Sequence, residues 1–140
     1  YKKSNLVSLS DDSGLEIKCL KNRPGIYSAR WAKRYGSFNK AMKVILKKIK
    51  RKRNRNARFV CSLSIKLSNN KIVTSIGTIS GHISSRIIGT KGFGYDPIFV
   101  PNGSKITFGQ MNLQKKMKID HRSIAFKKLK KKLKLFKFFI

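Results

Sequence analysis

Two strand-like stretches on either side of Asn69-Asn70 limit what this chain can fold into more than any other feature. Ala57 to Leu67 is rich in residues that favour strands, and Lys71 to Ile83 is predicted to be the returning strand after a turn at Asn69-Asn70. The positions of the second strand that share one face are Ile72, Thr74, Ile76, Thr78 and Ser80. Gly77 and Gly81 interrupt this strand, which indicates bulges or bends. The sequence therefore predicts a long β-hairpin.

Helices are predicted before and after the hairpin. Ser37 can cap the first helix. Its apolar face is formed by Phe38, Met42, Ile45, Leu46 and Ile49. Asp120 can cap a final helix, whose buried stripe is formed by Ala125, Leu129, Leu133 and Phe136.

The chain has the size and the apolar content of one domain, residues 1–140. Its 34 Lys and Arg against five acidic residues give a formal net charge of +29. A phosphate-rich partner or a compositional bias toward Lys, Asn, Ile and Phe can account for this charge, and the even spread of lysines favours the bias. No run of 18 apolar residues occurs, so no membrane-spanning segment is predicted. Cys19 and Cys61 are too few for a disulfide framework or a zinc site, which favours a reducing, cytoplasmic setting.

The first candidate site is the stretch Asp11-Asp12-Ser13-Gly14, in a chain with few carboxylates. Asn5 to Leu9 is predicted to be a strand that ends just before it, and the carboxyl ends of strands are the usual ligand edge of an open α/β sheet. A short second strand is predicted from Leu15 to Cys19. Two adjacent carboxylates can hold a hard divalent cation and polarise a water beside phosphate. The alternative interpretation is a plain turn or helix cap, because Asp, Ser and Gly are common turn residues.

The second candidate site is Gly89 to Pro97, where three glycines surround Lys91 and Phe93. Glycines allow positive φ and a close approach of backbone to a ligand. Phe93 and Tyr95 offer rings for stacking on a base and Asp96 offers a polar contact, although a glycine-rich bend that returns its aromatic residues to the core is the simpler alternative. The aromatic-rich segment Ile26 to Trp31 is expected to pack beneath the site.

Four stretches, taken in order, resemble the non-standard purine nucleoside triphosphate pyrophosphatases, or Ham1-like family. They are Asp11-Asp12-Ser13-Gly14-Leu15-Glu16, Pro24-Gly25-Ile26-Tyr27-Ser28-Ala29-Arg30-Trp31, Gly92-Phe93-Gly94-Tyr95-Asp96-Pro97-Ile98-Phe99 and His121-Arg122. The resemblance covers nearly the whole chain. It implies an α/β fold with an elongated mixed sheet flanked by helices, two lobes around a nucleotide cleft, and a homodimer. It also implies hydrolysis of ITP, dITP or XTP to the monophosphate and pyrophosphate with Mg²⁺.

The same resemblance assigns roles to individual residues. Asp12 would be the general base and a magnesium ligand, with Asp11 in support. Further contacts to the substrate are implied for Ser13, Phe93, Gly94, Tyr95, Asp96, Lys116, His121 and Arg122. His121 and Arg122 would read the 6-keto oxygen that separates hypoxanthine from adenine.

The chain also departs from the family pattern. The N-terminal phosphate loop of the family, [ST]-x-N-x-x-K, is missing from this sequence, so the chain is expected to be an N-terminally truncated domain that is inactive alone. Asp120 stands where the family usually has Ser, and Gln114-Lys115 stands where it has glutamates. Two rival interpretations remain: a basic nucleic-acid-binding module, which only the charge supports and which we consider the less favoured one, and a non-catalytic relative that keeps the fold.

Overall fold

The computed structural model describes residues 2–68 and 71–135. The strands are β1 (Ser8–Ile17), β2 (Arg23–Gly25), β3 (Asn56–Ser68), β4 (Lys71–Ile83) and β5 (Phe99–Pro101). The helices are α1 (Ser28–Tyr35), α2 (Phe38–Ile49), α3 (Leu113–Ile119) and α4 (His121–Leu135). Short 3₁₀ turns cover Lys18–Leu20 and Asp96–Ile98. No described helix has both the length and the hydropathy needed to cross a bilayer.

The five strands form one sheet in the order β2-β1-β3-β4-β5. Helices pack on this sheet, so the predicted α/β class with a helix-flanked sheet is confirmed. All pairings among the described strands are antiparallel, where the resemblance implies a mixed sheet. The connection from β1 to β2 covers only residues 18–22, which suits antiparallel neighbours, whereas a parallel pair needs a crossover of about a dozen residues or more.

The long hairpin of β3 and β4 is confirmed, and the predicted turn at Asn69-Asn70 lies outside the described residues. The face that carries Ile72 and Ile76 is the exposed face of β4. Of the predicted bulges or bends at Gly77 and Gly81, the bulges do not occur, because within the described residues of this pairing the register shifts only between Lys66 and Ser68. The two glycines instead allow close packing. A Cβ on Gly77 would collide with the backbone of α4, and a Cβ on Gly81 would collide with β5.

The prediction of two short strands around the acidic stretch was also wrong. β1 is one continuous strand, and Asp11 and Asp12 lie in its middle, opposite Leu63 and Ser62 of β3. The turn alternative fails for the same reason. A turn at Ser13-Gly14 would break the ladder with β3, which pairs every residue of β1.

Both predicted helix starts are confirmed. The Ser37 hydroxyl accepts a hydrogen bond from the Lys40 N–H, and the Asp120 carboxylate accepts one from the Ser123 N–H. α2 buries Ala41, Met42, Ile45 and Ile49 against the sheet. α4 buries Ala125, Leu129 and Leu133 against Cys61, Leu63 and Val73. Phe136, the last member of the predicted stripe, lies outside the described residues.

Candidate functional site

A pocket of about 160 Å³ lies where β1, α1, the glycine-rich loop Gly89 to Pro97 and the start of α4 meet. Its lining includes seven of the predicted site residues, namely Ser13, Phe93, Gly94, Tyr95, Asp96, His121 and Arg122. These residues come from three distant parts of the sequence. Depressions of about 420 to 430 Å³ elsewhere on the surface contain none of the seven apart from Arg122, so the smaller pocket is the candidate site.

The glycine-rich loop is built around the carboxylate of Asp96. Its Oδ2 atom accepts hydrogen bonds from the Phe93 N–H at 2.8 Å and from the Lys116 ammonium at 2.6 Å. Gly92 and Gly94 have φ angles of 75° and 64°, which side chains rarely adopt. Burial raises the pKa of Asp96, although the bonds from Lys116 and Phe93 oppose this effect. The ring of Phe93 remains 59% exposed at the pocket mouth.

Tyr95 ties this loop to α1. Its hydroxyl donates to the Ser28 carbonyl at 2.8 Å, and its ring meets that of Phe38 edge-on at 5.2 Å. Burial raises the pKa of Tyr95 to about 12, so the phenol is neutral at physiological pH. The Ser28 hydroxyl accepts from the Leu15 N–H and donates to the Gly25 carbonyl. β1, α1 and the loop therefore hold one another through buried hydrogen bonds.

His121 forms the buried wall of the pocket. Its imidazole is 3% exposed and stacks nearly parallel on the ring of Phe59, with centroids 4.8 Å apart. Burial first, and the Arg122 charge second, lower the pKa of His121 to about 4. The imidazole is therefore neutral at pH 7, and its Nδ1 atom has no hydrogen-bond partner among the described residues.

Arg122 lies at the rim and is held by Asp11. The guanidinium Nε donates to Asp11 Oδ2 at 2.7 Å, and its Cζ lies 4.9 Å from the centroid of the Phe93 ring. Asp11 Oδ1 also accepts a hydrogen bond from the Ser13 hydroxyl at 2.9 Å. Burial would raise the pKa of Asp11, but the bonds from Arg122 and Ser13 and the Arg122 charge outweigh burial and lower it.

Three of the ten predicted site residues do not line the pocket, and one of them, Asp11, lies beside it in a depression that also contains Arg122. Successive strand residues point to opposite faces, so Asp12 lies on the face opposite to Asp11, where it is exposed. Lys116 is 3% exposed and lies behind the Phe93 ring, with its Nζ 4.4 Å from the ring centroid. The predicted roles of these three residues stay predictions.

Six further residues line the pocket without having been predicted as site residues, and two of them, Gly14 and Leu15, follow Ser13 in β1. Ser28, Ala29, Phe38 and Phe59 all border the pocket. Ser28 and Ala29 belong to the segment expected beneath the site, so that expectation is confirmed. Phe59 carries no local signal beyond its strand pattern, and only the pairing with β1 brings it under His121.

The pocket combines apolar ring surface with a group that only donates hydrogen bonds. Aromatic rings of Phe93, Phe38 and Phe59 supply apolar surface, and Arg122 supplies donors only. No group of three or more His, Cys, Asp or Glu that could hold a metal ion occurs within residues 2–68 and 71–135. A divalent cation at the carboxylates of Asp11 and Asp12 would therefore need further ligands, such as phosphate oxygens.

Comparison with known proteins gives a consistent result. The sequence matches the Ham1 family over residues 1–132. It is 42% identical over 120 residues to the dITP/XTP pyrophosphatase of Christiangramia forsetii, covering 86% of this chain and 63% of that protein. It is 42% identical over 129 residues to the dITP/XTP pyrophosphatase of Caulobacter vibrioides, covering 91% of this chain and 66% of that protein. The chain thus spans about three fifths to two thirds of the length of these curated relatives.

The fold comparison agrees with the sequence comparison. The Ham1 protein of Staphylococcus aureus superposes with a TM-score of 0.89 at 37% identity, covering 95% of this chain and 69% of that structure. A HAM1 protein from Coxiella burnetii gives a TM-score of 0.87 at 29% identity, covering 94% of this chain and 69% of that structure. Since the family match covers nearly the whole chain and the fold agrees with it, this protein belongs to the Ham1 family.

Proposed function

We propose that the full-length protein hydrolyses non-standard purine nucleoside triphosphates, namely ITP, dITP and XTP, to the monophosphate and pyrophosphate. The observation that carries this proposal is the pocket itself, where Phe93, His121 and Arg122 meet beside Ser13. Relatives of the chain at about 40% identity carry the name dITP/XTP pyrophosphatase, which supports the same reaction.

Recognition of the base follows from the donors at the pocket. The exposed ring of Phe93 offers a face for stacking on a purine. Arg122 has no acceptor, so it suits the 6-keto oxygen of hypoxanthine or xanthine. The 6-amino group of adenine is itself a donor and offers no acceptor to the guanidinium N–H groups that Asp11 does not bind, which is a strong basis for rejection. His121 is neutral and its Nδ1 is free within the described part of the chain, so it can take a complementary hydrogen bond from the base.

The phosphate chemistry is assigned to the acidic stretch. Asp12 is exposed, and no ion pair or hydrogen bond of its side chain occurs among the described contacts, so it is available as the general base and as a ligand of Mg²⁺. Mg²⁺ commonly takes one or two carboxylates together with substrate phosphates, so a single aspartate here fits this cation. When bound, Mg²⁺ would neutralise charge on the phosphates.

Asp11 and Ser13 are the sequence neighbours of Asp12 in β1, and their side chains project from the opposite face of the strand, where Ser13 lines the pocket. Asp11 supports the site by holding Arg122 and the Ser13 hydroxyl, and Ser13 is placed to contact the substrate. The net charge of +29 attracts any triphosphate to the surface.

The assembly and the compartment are also part of the proposal. A homodimer is supported by the family resemblance, and light scattering coupled to size exclusion tests it. Cytoplasmic placement is supported by two free cysteines, one of them buried, which suit a reducing compartment. A nucleic acid is not proposed as a partner, because the pocket accounts for the aromatic residues and Arg122 without one.

The test is pyrophosphate release from ITP and from ATP by the full-length protein with Mg²⁺. Release from ITP with little from ATP, lost in Asp12→Asn, is the expected result. Asp12→Asn keeps the size of the side chain and lies on an exposed strand position, so circular dichroism should show an unchanged fold. A folded protein that releases pyrophosphate from neither substrate refutes the proposed enzymatic function. Salt-dependent binding of nucleic acid would then favour the basic nucleic-acid-binding module.

A further inference from the structure

The buried ion pair of Asp96 and Lys116 has no counterpart among the other described pairs. Its side chains are 2% and 3% exposed, whereas both side chains of the Asp11–Arg122 pair are more than a third exposed. Burying two charges costs several kcal/mol per ion before their attraction is counted, and apolar residues of similar volume often serve stability as well. Stability alone is therefore a poor reason for this pair.

Both members of the pair act on Phe93. Asp96 accepts the Phe93 N–H at 2.8 Å, so it fixes the backbone. Lys116 lies 4.4 Å from the centre of the Phe93 ring, within the range of a cation–π contact, so it fixes the side chain. Phe93 is exposed, and the other cation against its ring among the described contacts, Arg122, lies farther away, with its Cζ 4.9 Å from the centroid.

The loop is shaped to keep these contacts. A Cβ on Gly92 would collide with the Asp96 carboxylate, so the backbone approaches that group more closely than any other residue type allows. Asp96 Oδ2 and the Lys116 ammonium are engaged within the protein, and the two side chains are only 2% and 3% exposed.

We propose that the Asp96–Lys116 pair is a positioning device for Phe93, and that it acts on the nucleotide through that ring rather than by contact. This inference rests on the proposed function. It changes the roles expected of Asp96 and Lys116 from substrate contacts to positioning residues.

The kinetic test is a mutant cycle in the full-length protein that combines substitution of the Asp96–Lys116 pair with substitution of Phe93. The double substitution Asp96→Asn with Lys116→Met removes both charges together and leaves no unpaired ion, and Phe93→Leu removes the ring. Each change is expected to lower kcat/KM for ITP about 10-fold or more, because a misplacement of about 1 Å can cost about 100-fold. The triple variant should lie within about threefold of Phe93→Leu, since effects that act through one group do not add. Losses that multiply in the triple variant, or an unchanged double variant, overturn the proposal.

Two structural measurements keep the test independent of turnover. Crystal structures without nucleotide should show residues 92–95 displaced in the double variant, and an unmoved Phe93 ring overturns the positioning role even if the wild-type protein hydrolyses nothing. A crystal structure of the unaltered protein with inosine monophosphate needs no variant to fold. The base should lie on the Phe93 ring, and a hydrogen bond from the nucleotide to Asp96 or Lys116 would show direct contact instead. Absence of hydrolysis by the unaltered protein counts against the proposed function alone.

Discussion

Acidification should weaken this fold through His121. The imidazole is buried with a pKa of about 4, whereas a histidine in the unfolded chain titrates near 6.5. Between these values the unfolded chain takes up a proton that the native protein does not, so stability is complete above about pH 6.5 and falls as the pH falls toward 4. One pKa unit corresponds to about 1.4 kcal/mol, so this group should cost about 1.4 kcal/mol at pH 5.5 and about 2.5 kcal/mol at pH 4.5, relative to pH 7.5.

The assay is chemical denaturation at these three pH values, with His121→Phe as the control. Phenylalanine keeps a flat ring to stack on Phe59 and cannot titrate. Arg122 and Lys116 add to the lowering of the His121 pKa, and Asp120 and Asp11 oppose it; all four remain in the variant. The difference between the two proteins in the pH dependence of the free energy of unfolding gives the contribution of His121. Parallel loss of stability in both proteins would refute the reasoning, because it would mean that His121 is solvated or paired in the native state.

Two further predictions concern packing. Ile45→Ala should lower the free energy of unfolding by about 2 to 5 kcal/mol, because Ile45 is fully buried in α2. Leu113→Ala, at a 67% exposed position, should change it by less than about 0.5 kcal/mol. Urea denaturation of the two variants compares them directly. Gly77→Ala should lower the melting temperature and weaken hydrolysis of ITP, because its methyl group would push the His121 end of α4 off β4. The control is Gly103→Ala, whose methyl group meets no atom and which bears only the strain of its positive φ, about 1 kcal/mol. A Gly77→Ala protein with unchanged melting and activity would show that α4 tolerates the displacement.

The parts of the fold that sequence reasoning predicted well depend on neighbouring residues. The caps at Ser37 and Asp120 each bond an N–H three residues away, so the helix starts are visible in a short window. The hairpin is also local, since β3 and β4 are joined directly. β1 was missed as a continuous strand because its stabilising partner is β3, about 50 residues away in sequence. A polar stretch with glycine has turn propensity, and tertiary pairing overrides it.

The same contrast between local signals and long-range pairing holds for the candidate site. The resemblance found seven of the pocket residues, but it did not find which face of the sheet each residue occupies. That face follows from the register of β1 on β3, which separates Asp11 from Asp12. Nor did any sequence signal show that Lys116 and Asp96 form a buried pair, because a lysine twenty positions away in a chain with 34 basic residues does not stand out.

α4 shows how a family site and an unusual composition coexist in one helix. Its first turn carries His121 and Arg122, and its position is fixed by Ala125 on Gly77 and by the buried Leu129 and Leu133. The exposed positions between these contacts are occupied by Lys127, Lys130, Lys131 and Lys134, among others. Exchange of one polar residue for lysine at such positions alters the surface charge and leaves the anchoring stripe untouched. The outer face of this helix can therefore carry many lysines without disturbing the packing that places His121 and Arg122.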